Sequence, residues 1–267
     1  MDPDLIRQSE LGMLKKFVKS AFHAVGLNLT RHPGKLPSNL VEFSEDEKQL
    51  LHHVRRYELT MVPIEGLFAT VKACRYVVER GIDGDFVECG VWRGGNSILA
   101  AGVFKQLNSD KHIYLFDTFA GMTEPTSEDI NFLGRPARLK FEKSQKDDHN
   151  EWAYASLDDV RANFEQAGLL DDGVKFIQGD VQQTLKDQAL IPKCISVLRL
   201  DTDWYESTKL EMEILYPRLS VGGILIVDDY GVWGGSKKAV DEYFAKNGRC
   251  PFLHYTNSGG RVAVRRE

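Results

Sequence analysis

The chain has 267 residues, of which 42% are hydrophobic and 27% charged, a balance that suits one globular domain with an appendage. Its net charge of −5 gives no electrostatic case for a nucleic-acid partner. No apolar run reaches the length of a membrane span, and the four cysteines are scattered without a C-x-x-C pair. These features predict a cytoplasmic protein with reduced thiols.

Residues 1–56 are predicted to form a helical extension and linker ahead of the main domain at 57–267. Within the extension, residues 13–25 have the pattern of a basic amphipathic helix, with apolar residues on one face and three lysines off it. Such a helix can lie on an anionic membrane. Docking on its own domain or on a second subunit is more common, so we expect a homo-oligomer formed through the N-terminal helices, and no membrane partner.

The main domain has the pattern of an α/β protein. From residue 84 onward apolar strands alternate with helices, which predicts a doubly wound, mainly parallel sheet. Five strands are expected at 84–89, 112–116, 174–178, 195–200 and 223–227. Two further strands with a weaker pattern are expected at 252–255 and 261–265. Two helices are expected before these strands. The first begins at a capping-box pattern at Ser44, and the second ends at Gly81.

One connection in this domain is too long for a simple loop. More than 30 residues separate Asp117 from a helix expected near Trp152. Long loops inside compact domains are commonly active-site lids. We therefore assign residues 121–150 as a lid.

The first strand leads into a glycine-rich turn, DFVECGVWRGGNS at 85–97. Glycines let a ligand approach the backbone, and the following helix offers free N–H groups at its N-terminus. The spacing E-x-G-x-x-x-G-G differs from the G-x-G-x-x-G of dinucleotide binders. A carboxylate at Glu88 would repel a pyrophosphate and attract an ammonium, as in S-adenosylmethionine; the alternative is an incidental glutamate. The cofactor contacts predicted in this turn are Glu88, Gly90, Trp92, Arg93, Gly94 and Ser97.

The next two strands also end at aspartates. Asp117, followed by Thr118, is placed to accept hydrogen bonds from ribose hydroxyls. Asp180, preceded by Gly179, is placed to bind an adenine amino group. Either aspartate could instead be an ordinary cap or turn residue.

Four aspartates follow the fourth and fifth strands, at Asp201, Asp203, Asp228 and Asp229. They would repel one another strongly without a cation, and all-oxygen ligands favour Mg²⁺. The alternative is that some of them cap helices and face water. A metal ion there would lower the pKa of a substrate hydroxyl, and a neighbouring carboxylate would take its proton. The predicted chemistry is methyl transfer to a hydroxyl by in-line displacement.

Several segments resemble the macrocin O-methyltransferase family in order and spacing: DFVECGVWRGGNS, YLFDTFAGM, LRLDTDWYESTK, LYPRLSVGGILIVDDYGVWGGSKKAVDEYF and a Thr-Met pair before a long helix. Members of that family methylate deoxysugar hydroxyls of macrolide and aminocoumarin antibiotics. The resemblance covers roughly residues 57–247 and implies a class I methyltransferase fold with a seven-stranded sheet, acting on a small sugar-bearing substrate.

The resemblance also implies roles for individual residues. S-adenosylmethionine would be the cofactor, and Thr60 and Met61 would close over its methionine end. Mg²⁺ would be held by Asp201, Asp228 and Asp229. The general base would be Asp203 or, delivered by the lid, His149.

Three alternatives stay open at this point. A catechol- or phenol-type metal-dependent O-methyltransferase would need an aromatic wall, for which Phe132, Trp152 and Tyr154 are available. An NAD-dependent oxidoreductase is disfavoured by the glycine spacing and by the aspartate cluster. A non-catalytic S-adenosylmethionine-binding protein would have no use for the metal carboxylates.

Overall fold

A computed structural model describes residues 40–248 and 250–267. The basic helix expected at 13–25 lies outside these ranges. In chain order, the helices and strands of the described part are α1 (Glu45–Arg56), α2 (Ile64–Glu79), β1 (Asp85–Cys89), α3 (Gly95–Gln106), β2 (Ile113–Asp117), α4 (Arg138–Ser144), α5 (Leu157–Gln166), β3 (Val174–Gln178), α6 (Val181–Thr184), β4 (Ile195–Leu200), α7 (Tyr205–Ile214), β5 (Leu219–Val227), α8 (Gly234–Asn247), β6 (His254–Tyr255) and β7 (Arg261–Val264).

The strands form one seven-stranded sheet in the order β3-β2-β1-β4-β5-β7-β6. The first five are parallel, and β7 runs antiparallel to both of its neighbours. The doubly wound α/β fold predicted from the alternation of strands and helices is therefore confirmed. The strand order reverses between β1 and β4, and ligands of such sheets bind at the carboxyl ends of the strands beside that point.

Helix α1, which lies in the predicted N-terminal extension, packs against helix α3 of the main domain. It starts with the predicted capping box, in which the Glu47 N–H donates to Ser44 Oγ and the Ser44 N–H donates to Glu47 Oε2. Its Leu50 packs so closely on Gly102 of α3 that a Cβ there would lie 2.4 Å from Leu50 Cδ1. Packing on α3 thus joins α1 to the main domain.

The segment after β2 differs most from expectation. The helix expected near Trp152 begins at Leu157, because Ser156 and Asp159 form a second capping box there. A short helix that the sequence did not predict, α4, lies inside the long connection and has no buried residue.

Smaller differences lie elsewhere in the described chain. Strand β5 begins four residues earlier than expected, and β6 keeps only two of its four expected residues. Cys74 and Cys89 are buried, whereas Cys194 and Cys250 are exposed, and all four are free. Within the described ranges, no helix has the length and apolar character that a membrane crossing requires.

Candidate active site

A cavity of about 340 Å³ opens at the carboxyl ends of β1, β2, β4 and β5. This volume lies in the range of small-molecule sites. The site residues predicted from sequence that line it are Thr60, Met61, Gly90, Trp92, Asp117, Thr118, Gly179, Asp180, Asp201, Asp203, Asp228 and Asp229. The predicted residues that do not line it are Glu88, Arg93, Gly94, Ser97 and His149.

The turn after β1 is held by Asp117 from the next strand. Its Oδ2 accepts hydrogen bonds from the backbone N–H groups of Val91 at 2.6 Å and Trp92 at 3.1 Å, and its Oδ1 accepts from Phe119 N–H at 2.7 Å. Burial raises the pKa of Asp117, and these backbone hydrogen bonds oppose the rise. Gly90 is required in this turn, because a Cβ at its φ of +81° would lie 2.0 Å from the Asp201 carbonyl oxygen. Asp117 therefore shapes the turn as well as facing the cavity.

Arg93 holds the segment before α2 from outside the cavity. Its Nη1 donates to the Glu58 carbonyl oxygen at 3.1 Å, and the Gly95 N–H donates to the Leu59 carbonyl oxygen at 3.0 Å. These bonds place Thr60 and Met61 at the edge of the cavity. Arg93 thus positions the segment expected to cover the cofactor, and its own contact with the cofactor stays a prediction.

The floor of the site is a buried ionic network around Arg199. Its Nη1 lies 2.7 Å from Glu88 Oε1 and 2.6 Å from Asp201 Oδ2, and its Nη2 lies 2.8 Å from Asp228 Oδ1. Glu88 is 1% exposed, and its second oxygen accepts from Ser97 Oγ. Burial raises the pKa of Glu88, while the Arg199 charge lowers it. Both Glu88 oxygens are thus engaged beneath the cavity, and the predicted contact of Glu88 with the cofactor ammonium stays a prediction.

Three carboxylates above this floor form a group of the size that holds a metal ion. Asp201, Asp203 and Asp229 each place one oxygen within 4.8 Å of the other two. The sequence expectation named Asp228 instead of Asp203; Asp228 lines the same cavity, with one oxygen on Arg199. Asp229 Oδ2 is buried and has no hydrogen-bond partner in the described part of the chain. An unpartnered buried carboxylate oxygen among others suits a hard divalent cation.

Asp203 has the properties of a proton acceptor. Burial raises its pKa to about 7, and a hydrogen bond with Asp229 lowers it. Burial also raises the pKa of Asp229 and of Asp201. Asp203 is held at a left-handed φ of 67°, a conformation that is uncommon for a residue with a side chain and that is often found at functional sites.

The first half of the expected lid is fixed to the loops that follow β4 and β5. The Trp204 indole N–H donates to the Thr123 carbonyl oxygen at 2.9 Å, and the Tyr205 N–H donates to Asp129 Oδ1 at 2.8 Å. The Phe132 N–H donates to the Val232 carbonyl oxygen at 2.9 Å. Asp129 is fully buried. Residues 123–132 are therefore anchored to these loops, whereas the part that contains α4 forms no such hydrogen bonds within the described ranges.

His149 lies in that second half, but outside the cavity. Its Nδ1 lies 2.6 Å from Asp148 Oδ1, and its ring packs on Tyr154 with the centroids 4.3 Å apart. It borders a separate surface depression formed by residues 145–151. The structure does not bring His149 to Asp203.

Trp152, considered from the sequence only for an aromatic wall, lines the cavity. Its ring packs against Trp204 and Trp233, with centroids 5.4 and 5.9 Å away, and Lys140 Nζ lies 3.7 Å from the centre of the ring. Of the three aromatic residues considered for a phenol-binding wall, only Trp152 reaches the cavity. The sequence did contain a signal for this cluster: Trp152, Trp204 and Trp233 come shortly after the lid, β4 and β5, respectively.

Comparisons with known proteins agree with this geometry. The macrocin O-methyltransferase (TylF) family model matches residues 15–251. The 8-demethyl-8-(2,3-dimethoxy-alpha-L-rhamnosyl)-tetracenomycin-C 4'-O-methyltransferase of Streptomyces olivaceus is 38% identical over 190 residues, 71% of this chain and 69% of that protein. The demethyldecarbamoylnovobiocin O-methyltransferase of Streptomyces niveus is 36% identical over 188 residues, 70% of this chain and 68% of that protein. The solved structure of the O-methyltransferase NovP superimposes with a TM-score of 0.68 at 33% identity, covering 78% of this chain and 82% of that one. This chain therefore belongs to the macrocin O-methyltransferase family and is an S-adenosylmethionine-dependent O-methyltransferase.

Proposed function

We propose that this enzyme methylates a hydroxyl on the sugar of a glycosylated natural product and that it uses Mg²⁺. The names of the two Streptomyces relatives support the acceptor class, since one states a rhamnosyl tetracenomycin and the other a novobiocin precursor. The observation that carries the proposal is the carboxylate group in the same cavity as the turn after β1. A hydroxyl has to lose a proton during methylation, and this group is where the proton can go.

The metal ligands that we propose are Asp201, Asp228 and Asp229, the set that the family resemblance implies; the structure groups Asp201 and Asp229 with Asp203, and Asp228 lines the same cavity. The donor set fits Mg²⁺, which prefers carboxylate oxygens, and the unpartnered Oδ2 of Asp229 is an oxygen that a cation could bind. When bound, Mg²⁺ supplies polarisation of the acceptor hydroxyl, and S-adenosylmethionine supplies the methyl group. Around them, Thr60 and Met61 cover one end of the cavity, while Asp117 and Asp180 offer carboxylate oxygens for ribose and adenine.

Asp203 is the base in this proposal. It stands within the same group of carboxylates, beside the proposed ligands Asp201 and Asp229. A cation bound there would lower the pKa of Asp203, so the metal would supply most of the activation and Asp203 would take the proton. His149 is held by Asp148 and Tyr154 outside the cavity. Asp203 can therefore accept the proton of the acceptor hydroxyl without any movement of the lid.

A catechol-type acceptor is the second candidate, and the lining of the cavity disfavours it. A flat phenol needs aromatic side chains on its faces, yet Phe132 is 72% exposed and Tyr154 is 39% exposed, and neither lines the cavity. The aromatic residues that line the cavity are Trp92 in the turn after β1, the buried Phe116 of β2, and Trp152, so of the three candidates for a phenol-binding wall Trp152 alone is in place.

The test is methyl transfer to defined acceptors. The full chain is incubated with S-adenosylmethionine, Mg²⁺ and either demethyldecarbamoylnovobiocin, the rhamnosyl tetracenomycin of the first relative, or catechol. Mass spectrometry should show one added methyl on a glycoside, and NMR should place it on the sugar. Methylation of catechol alone would favour the second candidate.

The metal is tested separately. Chelation should abolish turnover while calorimetry still detects S-adenosylhomocysteine binding, and Asp228→Asn should behave in the same way. Full activity in excess chelator would remove the metal from the proposal.

A further inference from the structure

Arg199 is a buried cation that the sequence analysis did not assign to the site. It is the last residue but one of β4, its side chain is 1% exposed, and all six residues of that strand are buried. Its Cα partner on β1 is Glu88, and Asp201 follows two residues later on the same face of the chain. A buried arginine is stable only when it is paired, and this one is paired with three carboxylates.

Arg199 binds one carboxylate oxygen of each of two proposed metal ligands. It binds Oδ2 of Asp201 at 2.6 Å and Oδ1 of Asp228 at 2.8 Å. Among the described residues, the second oxygen of each aspartate accepts no hydrogen bond. The guanidinium is planar and rigid, so one group fixes the orientation of both carboxylates. Each aspartate is thereby held with one oxygen on Arg199 and the other available to an ion.

Glu88 completes this arrangement from below. It binds the same Nη1 of Arg199 at 2.7 Å and accepts a hydrogen bond from Ser97 Oγ at the start of α3. Because Glu88, Arg199 and Ser97 are all buried, the guanidinium cannot turn away from the two aspartates without leaving Glu88 unpaired. β1 and α3 thus hold Arg199 in place, and Arg199 orients the carboxylates that follow β4 and β5.

We propose that Arg199 is a positioning residue for the divalent metal ion, with Glu88 as its anchor. This inference rests on the metal part of the proposed function. A group outside the coordination sphere that orients the ligands typically accounts for 10- to 100-fold in metal affinity.

If Arg199 acted through its charge alone, its removal would change the Mg²⁺ affinity in the opposite direction. A guanidinium beside two metal ligands repels a divalent cation, so its removal would tighten Mg²⁺ binding if its charge were its main contribution. Positioning predicts weaker binding on removal, because the freed carboxylates no longer present their oxygens together. Arg199→Lys, which keeps the charge, therefore separates the two contributions: charge alone predicts unchanged Mg²⁺ affinity there, whereas positioning predicts weaker binding.

The test uses two variants and measures Mg²⁺ itself. Glu88→Gln with Arg199→Met removes the cation and its buried anion together, so that no unpaired carboxylate is left at Glu88. Arg199→Lys keeps the charge but replaces the planar fork by a point charge. Arg218→Lys is the matched control, because that arginine binds the carbonyl oxygens of Ile191 and Pro192 and does not line the cavity. Calorimetry on the full chain gives the dissociation constants of Mg²⁺ and of S-adenosylhomocysteine, and thermal melting reports folding.

The expected result is Mg²⁺ binding weakened by about 10- to 100-fold in the double variant and weakened in Arg199→Lys, with S-adenosylhomocysteine affinity within about threefold of wild type. Arg218→Lys should match wild type in both. Unchanged or tighter Mg²⁺ binding in a folded double variant would overturn the proposal. If the double variant does not fold, unchanged Mg²⁺ binding in Arg199→Lys overturns it instead. Absence of Mg²⁺ binding by the wild type would refute the metal in the proposed function, a different outcome from either of these.

Discussion

Glu211 allows a quantitative test of the buried electrostatics beside the site. It lies on α7 with no exposed surface, and its two carboxylate oxygens accept from Thr202 Oγ at 2.9 and 3.2 Å. Burial raises its pKa from 4.5 to about 8, the hydrogen bond from Thr202 opposes the rise, and the negative charge of Asp180 adds to it. The perturbation is Glu211→Gln, which keeps an acceptor for Thr202 and removes the ionisation.

The expected effect has a definite sign. Between pH 4.5 and about 8 the folded chain keeps the Glu211 proton while the unfolded chain releases it. The free energy of unfolding therefore falls as pH rises through this window, by up to about 1.4 kcal/mol per pH unit. From pH 5 to pH 8 the loss that Glu211 causes is about 3–4 kcal/mol. In Glu211→Gln that loss is absent, so the variant gains stability over wild type as pH rises.

The assay is urea unfolding of wild type and Glu211→Gln at several pH values from 5 to 8, with the two compared at each pH. Other groups titrate equally in both proteins, so the difference isolates Glu211. Glu213→Gln is the matched control, because Glu213 is exposed on the same helix. A difference between wild type and Glu211→Gln that stays constant across this range would refute the reasoning.

Three further results are expected. Limited proteolysis without ligand should cut within residues 138–149, because α4 has no buried residue. Cofactor plus acceptor should protect this stretch. Cleavage first in the anchored segment 123–132 would contradict the prediction. Asp203→Asn should lower the rate by roughly 10²–10⁴-fold with His149→Ala near wild type, and the reverse pattern would move the base to the lid. Deleting residues 1–40 should reduce the number of subunits measured by light scattering, because the sequence predicts an apolar helix face there; an unchanged number of subunits would refute assembly through this segment.

Much of the framework could be predicted because its signals are local. A capping box is read from four consecutive residues, and the one at Ser44 was found in this way. The strand ends were predictable too, since buried parallel strands are short apolar runs and their boundaries fall at the aspartates. The equivalent box at Ser156 was overlooked because its third helical residue is Asp159, where the usual pattern has Glu or Gln.

The pairing beneath the site could not be predicted from spacing. Glu88 and Arg199 lie 111 residues apart in sequence and become neighbours only through the register of β1 and β4. Considered alone, Glu88 suggested a ligand contact. The available signal was Arg199 itself, since a charged residue inside an apolar strand requires a buried partner. The left-handed backbone of Asp203 could not be predicted in this way, because the residue type alone does not fix that conformation.

The charge of the cavity narrows the acceptor further than its shape does. The lining includes six aspartates and, among the described residues, no lysine, arginine or histidine. Arg199 pairs with Asp201 and Asp228, and burial raises the pKa of Asp201, Asp203 and Asp229, so this cluster carries less than its formal negative charge. Asp117 and Asp180 at the cofactor end of the cavity would repel a pyrophosphate, which disfavours NAD. A neutral sugar has no such cost, and its hydroxyls can bind carboxylates directly. The acceptor that this electrostatic pattern favours is therefore a neutral sugar, in keeping with the proposed function.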